Sequence, residues 1–149
     1  MNFKINKILN KKNKSKIVCL TAYSKNIAQI IDKHVDIVLV GDSLGSVLYD
    51  FKTTRKVNLK MMIEHTKSVR VGVTKSLLVI DLPYNTYRNK SEALRNSKKA
   101  IKDTKCDAVK IEGGIRVKNI VSHLVKNKIP VLGHIGITPQ TTKGKFKSK

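Results

Sequence analysis

Val40-Gly41-Asp42-Ser43-Leu44-Gly45, at the close of the apolar run Ile37–Val40, is the stretch on which the reading of the fold turns. A short, nearly continuous Val/Ile/Leu run reads as a buried strand. The residues after it place a carboxylate and a hydroxyl where that strand ends. The two flanking glycines predict a sharp turn of the backbone there. One Asp-Ser pair decides little by itself. The expectation to be met is that other strands end in the same way and that their polar ends converge on one site.

Working outward, the pattern recurs. Ile17–Leu20 is a short apolar strand running into Thr21-Ala22-Tyr23. Ser24 is placed to cap a helix reaching about Lys33, with Ile27, Ala28, Ile30 and Ile31 on its inner side. After the strand Asp36–Val40, residues Tyr49–Arg55 read as irregular. Asn58 caps a helix over Leu59–Val71, closed by Gly72. Ser76–Ile80 is a third strand, ending at Asp81-Leu82-Pro83-Tyr84. A helix framed by Ser91, Leu94, Ala100 and Ile101 runs to about Thr104. Asp107–Ile111 is a fourth strand, ending at Glu112-Gly113-Gly114, and a helix over Ile115–Lys126 follows. Pro130–Leu132 is a fifth strand, ending at Gly133-His134-Ile135-Gly136. Strand and helix alternate, which is the pattern of an α/β protein with a parallel sheet covered by helices. A doubly wound sheet and a (β/α)8 barrel both fit. The absence of Gly-x-Gly-x-x-Gly and of a Walker-type loop weakens the nucleotide-binding sheet.

The chain divides into an N-terminal helical extension (1–16), with Phe3, Ile5, Ile8 and Leu9 lying across the base of the domain, a β/α region (17–140) and a basic tail (141–149). Five β/α units fall short of the roughly 250 residues a closed barrel takes, so the chain is expected to be C-terminally truncated.

With 31 Lys+Arg against 10 Asp+Glu, the formal net charge is +21. The lysines are spread along the whole chain and aromatic residues make up only 5%, so the charge reads as a solvated lysine-rich surface and not as a specific nucleic-acid footprint. Cys19 and Cys106 sit in separate apolar runs and form no Cys-x-x-Cys pair, which predicts two buried free thiols and neither a zinc site nor a redox motif. The N-terminus has no apolar signal core, and no run approaches a membrane span. The expectation is a cytoplasmic protein with no membrane partner.

The last four strands each end in a group able to bind a cation or move a proton: Asp42, Asp81, Glu112 and His134. In parallel α/β folds ligands bind at that edge of the sheet. On the fourth strand Lys110 and Glu112 are two residues apart and share a face, while Val109 and Ile111 take the other. A lysine in an apolar strand needs an anion, and Glu112 or an anionic substrate would supply it. Asp42, Asp81 and Glu112 form an all-oxygen set suited to magnesium, with Ser43 and Lys110 placed to hold the carboxylate or keto oxygen of a substrate. The chemistry implied is enolisation of an α-keto acid. Tyr23, Tyr84 and Tyr87 read as packing residues, and His34, His65 and His123 as structural.

These stretches resemble the ketopantoate hydroxymethyltransferase family. The likeness is carried by Leu20-Thr21-Ala22-Tyr23, Val40-Gly41-Asp42-Ser43-Leu44-Gly45, Asp81-Leu82-Pro83, Val109-Lys110-Ile111-Glu112-Gly113-Gly114 and Gly133-His134-Ile135-Gly136-Ile137-Thr138-Pro139-Gln140. The resemblance implies a (β/α)8 TIM-barrel fold of which about the first five units are present. It implies Mg2+ and transfer of a one-carbon unit from the co-substrate 5,10-methylenetetrahydrofolate to α-ketoisovalerate, giving ketopantoate for pantothenate and coenzyme A synthesis. By the same resemblance Asp42, Asp81 and Glu112 are metal residues, and Asp42, Ser43, Asp81, Lys110 and His134 are substrate-binding. It further implies a homo-oligomer, commonly a decamer. Ser24 stands where the family usually has an aspartate. The family's general base is a glutamate on a later strand, expected beyond Lys149. Glu64, on a helix before the third strand, is no substitute. Two rival readings are another magnesium-dependent ketoacid-enolate barrel of the phosphoenolpyruvate mutase/isocitrate lyase type and a basic nucleic-acid-binding fragment.

Overall fold

The computed structural model describes residues 3–141. Apart from Thr141, the basic tail lies outside the described residues. Five strands, β1 (Cys19–Thr21), β2 (Ile37–Val40), β3 (Leu77–Asp81), β4 (Ala108–Glu112) and β5 (Val131–His134), form one sheet in the order β1-β2-β3-β4-β5. All four pairings are parallel. Each strand lies beside its predecessor, so the chain winds in one direction. A doubly wound sheet reverses its strand order at a switch point, and this sheet has none. The fold is therefore α/β of the TIM-barrel type, with four β/α units followed by a fifth strand among the described residues.

The helices are α1 (Phe3–Leu9), α2 (Lys25–Ile31), α3 (Leu44–Tyr49), α4 (Leu59–Gly72), α5 (Lys90–Thr104) and α6 (Lys118–Lys126). Strand alternation divides the apolar residues between two clusters. Val38, Val40, Leu78, Ile80, Val109 and Ile111 join Met62, Val69, Ala100 and Leu124 from the helices in the main core. Ile37, Leu77, Val79 and Ala108 form a second cluster on the opposite face, covered by Ile5 and Ile8 of α1. The N-terminal helix thus closes the base, and Lys4 Nζ donates to the carbonyl of Ser76 at 2.8 Å.

Several local expectations need correction. The glycines flanking Asp42-Ser43 are absent from the positive-φ residues. What they provide is room: a Cβ on Gly41 would sit 2.9 Å from Ser43 Oγ, and one on Gly45 would sit 2.6 Å from Val57 Cγ2. Gly72 likewise ends inside α4 with no left-handed turn. A Cβ there would come within 2.5 Å of the Lys25 carbonyl, so Gly72 lets α2 cross α4 closely. Ser24 occupies the N-cap position of α2 but makes no side-chain cap bond. Asn58 does cap α4, accepting from Met61 N at 3.0 Å. The cap of α5 is Asn89, which accepts from Glu92 N at 2.9 Å. Helix α3 was not foreseen; its six residues include a glycine and a β-branched valine, and no side chain caps it. Strand β1 starts two residues later than expected. It is an edge strand with all three residues exposed, so Cys19 is an exposed free thiol and only Cys106 is buried. No helix among the described residues is long and apolar enough to cross a membrane.

Candidate active site

The polar strand ends meet at one edge of the sheet, as the repeating pattern requires. Asp42 is 8% exposed, Asp81 3% and Glu112 5%. The register sets Asp81 beside Lys110 and Glu112 beside His134. Lys110 Nζ donates to Asp81 Oδ1 at 2.8 Å. Its anion is thus the cross-strand aspartate and not Glu112. Neighbouring strands lie about 4.8 Å apart, whereas residues two apart on one strand are separated by about 6.6 Å. The lateral partner is the nearer one.

Asp81 Oδ2 accepts from the backbone N–H of Asp42 at 3.2 Å, coupling the ends of β2 and β3. Ser43 Oγ lies 2.7 Å from the Tyr23 hydroxyl. The carbonyl of Tyr23 accepts from His65 Nδ1 at 2.8 Å, and the other ring nitrogen accepts from the Tyr49 hydroxyl at 2.8 Å. His65 is structural, but what it holds in place is a neighbour of Ser43. His134 Nδ1 is 3.6 Å from Glu112 Oε2 and has no hydrogen-bond partner among the described residues.

Burial pushes the carboxyls of this edge up. For Asp42 desolvation outweighs the opposing Gln140 hydrogen bond and Lys110 charge. Burial likewise raises Asp81 to about 6 against the pull of Lys110. Glu112 rises through burial, opposed by the Gln140 N–H and reinforced by the charge of Asp42. His134 is lowered by burial and by Lys110. Among the described residues, three carboxylates therefore face the Lys110 ammonium in a desolvated setting. A surplus of buried negative charge of this kind calls for a cation.

By donor chemistry the set fits magnesium, a hard cation that takes one or two carboxylates and fills its other positions with water and substrate oxygens. Among the described residues no three His, Cys, Asp or Glu side chains group as a ready-made metal cage. Gln140 instead bridges two of the carboxylates, donating from Nε2 to Asp42 Oδ2 and from its backbone N to Glu112 Oε1, both at 2.8 Å.

Gln140, Tyr23 and Tyr87, to which the sequence pattern assigns no role at the site, also lie here. Tyr87 donates to Gln140 Oε1 and lies 3.2 Å from the Glu112 carbonyl. Tyr84 lies under the Arg55 guanidinium, 5.0 Å from ring centroid to Cζ. Each tyrosine follows a strand end by a few residues, and that position was the available signal.

The arrangement defines a β/α-barrel-type protein with an acidic, lysine-containing site at the C-terminal edge of its sheet. The sequence profile of the ketopantoate hydroxymethyltransferases matches residues 2–149, and the chain belongs to that family. A 3-methyl-2-oxobutanoate hydroxymethyltransferase of Pelagibacter ubique is 65% identical across the whole chain, which covers 58% of that protein. The enzyme of the same name from Rhizobium etli is 48% identical over 89% of the chain and 50% of its own length. The chain thus spans about half the length of the curated relatives it matches. Among solved structures, 2,3-dimethylmalate lyase, a phosphoenolpyruvate mutase/isocitrate lyase superfamily member, aligns with a TM-score of 0.63 at 11% identity, over 89% of this chain and 52% of that one. A phosphonopyruvate hydrolase in complex with oxalate and Mg++ aligns with a TM-score of 0.60 at 10% identity, over 75% of this chain and 39% of that one. At such identities the likeness is one of fold.

Proposed function

We propose that this chain carries the ketoacid- and magnesium-binding part of an enzyme that transfers a hydroxymethyl group from 5,10-methylenetetrahydrofolate to α-ketoisovalerate, giving ketopantoate. The observation that carries the reading is the convergence of Asp42, Asp81 and Glu112 on one buried edge together with the Lys110 ammonium. Family membership and the names of the relatives support the ketoacid substrate.

Asp42 and Asp81 would hold the magnesium ion, with Glu112 binding it directly or through water. When bound, the ion supplies positive charge beside the 2-oxo group, where negative charge builds as the ketoacid enolises. Lys110 binds the ketoacid through its ammonium, which Asp81 keeps oriented across the strand pair. Ser43 donates its hydroxyl to the same substrate, and Tyr23 fixes the direction of that hydroxyl. His134 lines the site beside Glu112 and, with its basicity lowered, stays neutral at physiological pH. No residue of the chain is assigned as the proton-abstracting base. The expected assembly is a cytoplasmic homo-oligomer.

Calorimetric titration of α-ketoisovalerate tests this reading. Binding is expected to need Mg2+ and to fall at least about 100-fold in Asp42→Ala and in Glu112→Ala, since each removes a charged group whose partners stay buried. A nucleic-acid binder predicts the reverse: affinity for DNA that survives both substitutions, drops steeply with salt and leaves no ketoacid binding to measure. An enzyme of the phosphoenolpyruvate mutase type would bind oxalate or phosphonopyruvate in preference to the branched ketoacid.

A further inference from the structure

Gln140 follows β5 by six residues in sequence, yet it touches the ends of three other strands. It is 2% exposed. Its Nε2 donates to Asp42 Oδ2 at 2.8 Å, beyond β2, and to the Leu82 carbonyl at 3.2 Å, beyond β3. Its backbone N–H donates to Glu112 Oε1 at 2.8 Å, at the end of β4. Its Oε1 accepts from the Tyr87 hydroxyl, and its carbonyl accepts from Arg55 Nε at 2.9 Å. Every polar group of this one residue is spent across the polar edge of the sheet.

We infer that Gln140 is a positioning residue for the carboxylates Asp42 and Glu112, fixing one oxygen of each so that the other is presented to the cation. The inference rests on the metal-site reading given above. A carboxylate can swing about its terminal torsion, and a hydrogen bond to one oxygen sets the direction of the second. The side chain must be an amide for this task. It donates a hydrogen bond to Asp42 through Nε2 and accepts one from the Tyr87 hydroxyl through Oε1. A glutamate would set a carboxylate against a carboxylate, and an asparagine is one methylene too short to reach both. Because Gln140 contributes no charge, it orients the acidic groups without neutralising them, leaving that to the cation.

The test uses Mn2+ as the probe, titrated into the 149-residue protein with the free ion read by its paramagnetic resonance signal. Gln140→Met keeps the length and the backbone donor to Glu112 but loses the amide. It is expected to weaken Mn2+ binding about tenfold, in the range found when groups behind metal ligands are removed. The melting-temperature rise produced by saturating Mn2+ should shrink with it, a readout internal to each variant and so independent of any loss of basal stability. On an Asp42→Asn background, Gln140→Met should cost little more, because the residue acts through Asp42. Unchanged Mn2+ affinity in Gln140→Met, with Asp42→Asn weakened, overturns the inference and spares the metal site. Equal, additive losses on both backgrounds also overturn it, since they indicate a packing role. Mn2+ affinity unaffected by Asp42→Asn sinks the metal-site reading itself and the inference with it.

Discussion

The two ends of the sheet each carry three acidic residues, and the protein treats them in opposite ways. At the N-terminal end, Asp32 accepts from Thr74 N and Oγ1, Lys75 N and Ser76 N, at 2.9–3.2 Å. Asp36 accepts from Val18 N at 2.9 Å and pairs with Lys11 at 2.6 Å. Asp107 accepts from Leu78 N at 2.9 Å and lies 3.5 Å from Arg70. These carboxylates satisfy the backbone of the loops that feed the strands. Hydrogen bonds accordingly hold Asp32 well below the usual carboxylate range despite its burial, and the Lys11 contact holds Asp36 down. At the C-terminal end burial wins, and Asp42, Asp81 and Glu112 are all pushed up. The comparison shows that residue type and burial do not separate a structural acid from a site acid. What differs is the balance: the hydrogen bonds to Asp32 outweigh its desolvation, whereas at Asp81 desolvation outweighs two donors, Lys110 and the Asp42 N–H.

The largest effect that could break this contrast is expected at Asp32. Asp32→Ala leaves three backbone N–H groups without their acceptor and should lower stability by about 2–4 kcal/mol in urea denaturation, while magnesium-dependent ketoacid affinity is kept. A smaller change of opposite sign is expected at the other end. Asp42→Asn keeps an acceptor for Gln140 and removes a poorly compensated charge, so the metal-free protein should gain about 1 kcal/mol while its affinity for the ketoacid collapses. If Asp42→Asn instead destabilises as much as Asp32→Ala, the two ends are alike and the contrast fails.

The smallest and sharpest test is titration. Carboxyl-carbon NMR should show Asp32 still ionised well below pH 4, and Asp81 taking up its proton near pH 6. The stability consequences run in opposite directions. Asp32 has a folded value below its unfolded one, so its contribution is present above about pH 4 and is lost as the pH falls through the folded value. Asp81 has a folded value above its unfolded one, so between about pH 4 and 6 the unfolded chain is ionised first and stability falls as the pH rises.

Much of this was legible in the sequence, and the failures have physical causes. The buried strands β2 and β3 were plain because both faces are covered and their residues are apolar up to the polar end, and β4 was plain despite Lys110 because its other residues before Glu112 are apolar. Strand β1 was misplaced because an edge strand has half its pairing and no burial to fix its limits. The carboxylates were legible because each closes an apolar run. The Lys110 partner was not, since sequence spacing reports neighbours along a strand, while the shorter distance runs between strands. Gln140 was hidden for a related reason. It is 98 residues from Asp42, and no periodicity links a loop amide to a distant acid. The glycines carry a signal that the sequence leaves ambiguous: their missing side chains make room for close contacts, whereas the pattern suggests freedom to turn.

The open sheet has a consequence for how anything could be added to it. Among the described residues strands β1 and β5 are its two margins, each paired to a parallel neighbour on one side only, so that each presents main-chain groups on the other. Main-chain bonding alone cannot tell one margin from the other, so an arriving strand must read side chains. Beside β1 it would meet Cys19, Leu20 and Thr21, a small, partly apolar border. Beside β5 it would meet Gly133, with nothing within 4 Å of the place a Cβ would occupy, next to the imidazole of His134. A strand suited to the second margin carries bulk opposite the glycine and a polar group opposite the histidine. The two margins therefore differ in the side chains they present, Cys19, Leu20 and Thr21 at the first and a glycine gap beside an imidazole at the second.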